Sequence, residues 1–539
     1  MLFVLLGPPG AGKTTIAKEL IKKMYRVTLI DYDVWELSYD RYLILKYPLK
    51  ILQVILKSNY DKLQHTLSIP RKMNIKNSKP YIFKLLPYMV WLDRFIVVHV
   101  MKLAKRRKLI IIHRYIGDLI TALIESYGLG DPSKRYILVS KFPRPDAGVV
   151  LDAPPQLLTV RAPEHYSSVE DAFFWRRRNI LDGLIYGFKI VSTAKSISES
   201  AKEVLWQVFK SMCEDSITFL LYLLSDPYHR KAGEVQELID EANTNSNILM
   251  LLRQAKKHGV LYTLLINLLK YNLHNRPLEN KLKEFLHCIE MKLYAFQKAI
   301  QIVAEILDDN RIPYVVFKTI PPYKEISDDI DILVPHNYFR KTIDTLFLIN
   351  DCHCYKGISI RSVKRSDIVI GKLYSFGREE QHLEMEVHGS TIELDIHYGF
   401  KYWFRRVLDE EDLLRNTWQK TVEKTKVNVP IPTLELISVS GSSVFEGISL
   451  KKIHFARALI RNYRIDWDKA IRLTAGYRWF KPFKHFISLV RMIDALLYDG
   501  DIENYPQFCE RISLTELRFL KTKTFRKYFA LLRTLINMR

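Results

Sequence analysis

Gly7-Pro-Pro-Gly-Ala-Gly-Lys-Thr-Thr15 decides how the first part of this chain folds. The residues ahead of it, Leu2-Phe3-Val4-Leu5-Leu6, suit a buried strand, and Ile16 to Lys23 suit a helix. Between them, Gly7, Gly12, Lys13 and Thr14 fill the phosphate-binding pattern G-x-x-x-x-G-K-[ST]. Glycine lets the loop Gly7, Pro8, Pro9, Gly10, Ala11, Gly12 curl until its backbone N–H groups point inward at phosphate oxygens. The helix N-terminus adds partial positive charge. Lys13 would reach the β- and γ-phosphates, Thr14 would hold Mg²⁺, and Thr15 completes the helix start. The expected ligand is ATP with Mg²⁺.

Working outward, residues 1–212 read as strands alternating with helices, the signature of a doubly wound parallel sheet. Further strands are expected at Tyr25–Ile30, Lys108–Ile112, Ala147–Leu151 and Phe188–Val191, with a helix from Ser198 to Met212. Trp35 to Arg107 reads as helical and basic. Ligands of such sheets collect at the carboxyl ends of the strands, where Asp33, Arg114 and Asp152 are expected. Asp31 and Asp33 can equally cap the turn before Val34-Trp35-Glu36.

The chain has 539 residues, enough for two to four domains. Residues 214–310 show helical periodicity, as in Leu261-Leu264-Leu265-Leu268. Residues 311–430 read as an α/β core, and 431–539 as a basic helical region. The formal charge of +23 suits polyanionic ligands. From Lys451 onward 19 Lys and Arg face 8 Asp and Glu, which fits nucleic-acid contact as well as it fits a solvated helical face. No run of the sequence approaches the roughly 18–20 apolar residues of a membrane span. Five cysteines, an odd number, argue against a disulfide framework and point to a reducing, cytoplasmic setting.

The second chemical signature is Ile326-Ser-Asp328-Asp329-Ile330-Asp331-Ile-Leu-Val334. Alternation puts Asp329 and Asp331 on one face of a strand while Ile330 and Ile332 enter the core. Two carboxylates on one face repel unless a cation such as Mg²⁺ lies between them. Met385 to Ile396 reads as a hairpin turning at His388-Gly389-Ser390, which would carry Asp395 to the pair. The competing reading is an exposed acidic strand edge. His397 can orient Asp395, pack, or take part in chemistry.

Residues 2 to about 210 resemble the thymidylate kinase family of P-loop nucleoside monophosphate kinases. The resemblance rests on the phosphate loop, His113-Arg114-Tyr115 after a strand, Pro145-Asp146 leading into Leu151-Asp152-Ala-Pro-Pro155, Arg161, Trp175-Arg-Arg-Arg178, and Ile190 to Glu199. It implies Arg114 and Asp33 at the acceptor, and Arg161 and Arg177 in a mobile lid over the nucleotide. His113 stands where that family carries an acid, and a neutral imidazole supplies no fixed negative charge, so the acceptor stays open. Residues 217–471 resemble the polymerase-β-like nucleotidyltransferases, and more narrowly a minimal set with a Lys-Gly turn, here Phe317-Lys318-Thr319, and an Asp-x-His third motif, here Asp395-Ile396-His397. The resemblance implies Asp329, Asp331 and Asp395 as metal ligands and Lys318 on the triphosphate. Thr319 replaces the usual glycine or serine, and its β-branch would narrow the approach to the triphosphate. Together these readings give a protein with phosphoryl-transfer and nucleotidyl-transfer halves, a nucleoside triphosphate and a nucleotide acceptor as partners. The alternative is a nucleotide-gated regulatory loop domain controlling a transferase that acts on RNA or protein.

Overall fold

The computed structural model describes residues 2–25, 32–36, 81–104, 109–113, 115–121, 123–124, 131–212, 216–228, 245–270, 276–327, 329–351, 358–362, 380–402, 405–498 and 502–510. They fall into two compact units, one built on Met1–Glu214 and the other on Asp215–Ile512.

The first unit is a parallel sheet between helices. Its strands are β1 (Leu2–Leu6), β2 (Tyr32–Glu36), β3 (Leu109–His113), β4 (Ala147–Asp152) and β5 (Lys189–Ser192), in the order β2-β3-β1-β4-β5. β1 and β3 are apolar throughout and wholly buried, as central parallel strands must be. Helix α1 (Lys13–Tyr25) follows the glycine-rich loop, α2 (Tyr81–Ala104) precedes β3, and α3 (Val169–Tyr186) follows β4. Ser168 caps α3 by accepting from the Asp171 N–H, and Gly187, at φ +71°, ends it in the left-handed conformation. Helix α4 (Ile197–Met212) closes the unit.

One expected strand is misplaced. Tyr25 belongs to α1, and the strand is Tyr32–Glu36 rather than Tyr25–Ile30. Asp33 is therefore the second residue of β2, opposite Ile110, rather than a cap beyond a strand end. Val34 and Trp35 pair with Ile111 and Ile112, so sheet pairing overrides the local capping signal.

In the second unit the described part of the lead-in is helical, including α5 (Leu261–Lys270) and the 34-residue α6 (Arg276–Asp309). The sheet contains β6 (Val315–Val316), β7 (Asp329–Leu333), β8 (Ile358–Ser362), β9 (Glu380–Val387) and β10 (Ser390–His397), in the order β6-β7-β10-β9-β8. Ile300, Val303 and Leu307 of α6 pack with Ile330, Ile332 and Leu394 of the sheet. Two ribbons follow, β11 (Phe400–Tyr402) with β12 (Arg405–Leu408), and β13 (Thr417–Val422) with β14 (Thr425–Pro430). Then come α7 (Pro432–Glu446), α8 (Leu450–Asn462), α9 (Trp467–Gly476) and α10 (Phe480–Leu497).

The helical lead-in and tail are joined by a buried charge cluster. Arg457 of α8 is fully buried, donates to Asp494 of α10 at 2.7 Å, and reaches Asp226 at 3.3 Å. Part of the basic excess beyond Lys451 thus serves the fold rather than the surface.

Candidate active site

The register of two neighbouring strands builds the carboxylate site. β7 runs parallel to β10, with Asp331 opposite Asp395 and Asp329 opposite Glu393. β10 gets there by a two-residue hairpin from β9 at His388 (φ +47°) and Gly389 (φ +73°), both left-handed as a tight hairpin of this type requires. β7 lies between β6 and β10, so the acidic pair is not on a sheet edge. Ile330 and Ile332 are fully buried on the opposite face, as alternation requires.

Asp331 is the hub. Its Oδ1 receives Lys318 Nζ at 3.1 Å and His397 Nε2 at 3.0 Å, while its backbone N–H donates to Thr319 Oγ1 at 2.9 Å. Burial alone would raise its pKa, but Lys318 and His397 outweigh that and hold the carboxyl well below the ordinary range. Asp329, half-buried, goes the other way, to about 7, through burial and then the Asp331 charge. Two carboxylates two residues apart are thus pushed in opposite directions, a pattern typical of functional sites.

His397 Nε2 lies 3.0 Å from Asp331 Oδ1. Asp395 is held by His382, directly across the hairpin on β9, with Nδ1 2.5 Å from Oδ1. Single-sequence reading missed His382; the period-2 alternation of β9 counted back from the hairpin turn would have found it. Thr319 is also turned inward. It is 1% exposed, and its hydroxyl donates to the Phe317 carbonyl while accepting from Asp331. Its branch therefore braces the turn. The left-handed residue is Lys318 itself, at φ +58°. The Lys318 ammonium also lies over the rings of Phe317 and Phe400, at 4.9 and 5.1 Å.

Three further groups complete the surroundings, none of them read from the sequence. Glu435 of α7 accepts the Lys318 N–H at 2.8 Å. Lys420 of β13 donates to the carbonyls of Ile320 and Pro321 at 3.1 and 3.2 Å. Lys451 of α8 donates to Ser327 Oγ at 3.0 Å, two residues ahead of Asp329.

Among the described residues, the side chains of Asp331, Asp395 and His397 bring one ligand atom each within 4.8 Å of one another, all buried. Two carboxylates and an imidazole suit a divalent ion. Asp329, named with Asp331 and Asp395 as a ligand, is not in that trio. Residues 244–493 match the family described as uncharacterised nucleotidyltransferase. No curated protein matches the chain. The nucleotidyltransferase-like match spans the sheet, both carboxylate strands and the helices that carry Glu435 and Lys451. It supports transferase chemistry on a nucleoside triphosphate in this region.

In the first unit, Gly7, Gly10 and Gly12 adopt φ of +146°, +77° and +83°. A Cβ at Gly7 would lie 2.6 Å from the Leu151 carbonyl oxygen. The Gly7 N–H donates to Asn179 Oδ1 at 3.0 Å, and the Tyr166 hydroxyl donates to the Pro9 carbonyl at 2.6 Å. Lys13 Nζ donates to the carbonyls of Gly7 and Pro8, the latter at 3.0 Å, while Thr14 and Thr15 are exposed at the start of α1. The arginines take separate roles. Arg161 is exposed and donates to the Thr193 carbonyl at 3.1 Å. Arg176 makes a two-pronged pair with Asp152 at 2.6 and 2.8 Å, which commits the carboxylate expected to face ligand. Arg177 is exposed on α3. Arg114 lies outside the described residues, and of Asp33 only the backbone position is described. No described helix is long and apolar enough to cross a membrane.

Proposed function

We propose that the second unit transfers a nucleotidyl group. An acceptor hydroxyl attacks the α-phosphorus of a nucleoside triphosphate. The new P–O bond forms as the bond to the β-phosphate oxygen breaks, and pyrophosphate leaves. The parallel register that sets Asp395 beside Asp331 carries this reading. Asp331, Asp395 and His397 would hold a divalent ion such as Mg²⁺, with Asp329 beside them; when bound, the ion would neutralise phosphate charge as a Lewis acid. Lys318 and Lys451 bring two positive charges to the triphosphate. His382 fixes the orientation of Asp395, whose carboxylate takes the acceptor's proton.

In the first unit, the proposal is ATP binding at Gly7–Thr15 and transfer of the terminal phosphoryl group to a nucleoside monophosphate or a related acceptor. The left-handed glycines and the Lys13 ammonium at the loop support it. Arg161, Arg177 and Arg114 are the cations proposed for the transferring group.

ATP labelled at the α- or the γ-phosphate separates the halves. The expected result is α-label transfer that disappears in Asp331→Asn and γ-label transfer that disappears in Lys13→Ala. Transfer of α-label by Asp331→Asn at the wild-type rate would sink the nucleotidyl reading.

A further inference from the structure

Glu435 is a buried acid far from any sequence motif. It sits in the first turn of α7 and is 7% exposed. Its Oε1 accepts the backbone N–H of Lys318 at 2.8 Å, and its Oε2 is buried with no hydrogen-bond partner among the described residues. An isolated buried carboxylate oxygen is costly, and a protein keeps one where something other than stability is gained. The group that Glu435 holds is also unusual: Lys318 is a non-glycine residue in the left-handed region, a conformation that needs support from its surroundings.

Lys420 acts on the same turn through its carbonyls. Its ammonium donates to the carbonyls of Ile320 and Pro321. One buried acid thus takes the turn's N–H, and one largely buried base takes its two carbonyls. Thr319, between them, braces Asp331.

Resting on the nucleotidyl-transfer reading, we propose that Glu435 and Lys420 are positioning residues for triphosphate binding. They hold residues 317–321 in the one backbone shape that presents the Lys318 ammonium to the phosphates and locks Asp331 beneath it. Neither touches the reacting atoms. Their purpose is geometric, so their removal costs ligand affinity before it costs folding; replacing both members of a buried polar pair by apolar groups of similar size is often neutral or stabilising.

The test uses the full chain. The double variant Glu435→Leu/Lys420→Met is compared with wild type by amide hydrogen exchange over 317–321, by the triphosphate KM and kcat of α-label transfer, and by melting temperature. The expected result is exchange about tenfold faster in that turn and a KM raised about tenfold, the effect of one lost buried hydrogen bond. The change in kcat is smaller, and the melting temperature does not fall. Glu435→Gln, which keeps an acceptor oxygen for the Lys318 N–H, recovers most of the KM. Unchanged exchange at 317–321 overturns the proposal. So does a melting temperature that falls with faster exchange across β7 and β10, which would make the pair merely structural. If wild type transfers no α-label, the nucleotidyl reading fails, while the exchange comparison still decides whether Glu435 and Lys420 set the turn.

Discussion

The glycine-rich loop and the carboxylate site are built by opposite means. The loop is one continuous stretch of nine residues whose business is done by backbone, with glycines at φ +146°, +77° and +83°. The carboxylate site is done by side chains drawn from five segments: Lys318 before β7, Asp331 on β7, His382 on β9, Asp395 and His397 on β10, and Glu435 on α7. A backbone site is encoded where it stands and depends on φ. A side-chain site is encoded by register, so one residue of slip turns Asp331 and Asp395 to the wrong face.

The comparison breaks most visibly with Asp331→Asn. Replacing the hub removes the negative charge that Lys318 and His397 both meet, and α-label transfer should fall at least ~10³-fold. γ-label transfer should be unchanged. Lys13→Ala is the mirror experiment: γ-label transfer should fall about 10²- to 10³-fold with α-label transfer intact. If either substitution silences both labels, the units are coupled and the contrast is wrong. Gly7→Ala tests the backbone half. A Cβ there meets the Leu151 carbonyl oxygen at 2.6 Å in a left-handed conformation, so unfolding of the first unit should become easier by about 2 kcal/mol, read from its melting transition. His382→Ala tests the side-chain half. Loss of the group behind Asp395 should weaken divalent-ion affinity roughly tenfold by calorimetry, in line with other supporting partners of metal ligands.

The smallest effect is on stability against pH. Burial, opposed by the Lys318 N–H and by Lys420, raises the Glu435 carboxyl from 4.5 to about 8. A raised carboxyl binds its proton more tightly in the folded state than in the unfolded one. Its contribution is fully present below pH 4.5 and is lost as the pH climbs through about 8. The melting temperature should therefore decline between about pH 4.5 and 8, and Glu435→Leu should flatten that decline. An equal slope in the variant would assign the decline to another group.

The two sites were also unequally legible. The loop, its strand and its helix could be read directly, because pattern and structure occupy the same residues. The hairpin at His388-Gly389 and the inward isoleucines of β7 were likewise visible in alternation. The roles of the histidines were not. The sequence leaves His397 open between orienting Asp395, packing and chemistry, because its partner Asp331 stands on another strand. His382 answers to Asp395 only through cross-strand register. Glu435 and Lys420 carried no local signal at all, since an acid in the first turn of a helix reads as an ordinary end charge. Asp33 failed for the opposite reason: its local signal was plain, and pairing with β3 overruled it.

The bond between Lys318 and Glu435 spans 117 positions of sequence. At a synthesis rate of about 5–20 residues per second, the turn exists for roughly 6–23 s before its acceptor has been made. The paired acids of β7 are therefore on the chain well before the helix that shapes the lysine above them. Assembly of this site is a late event in the life of the nascent chain. A ribosome pausing between β10 and α7 would hold a molecule with its sheet partners already made and its triphosphate grip still to come.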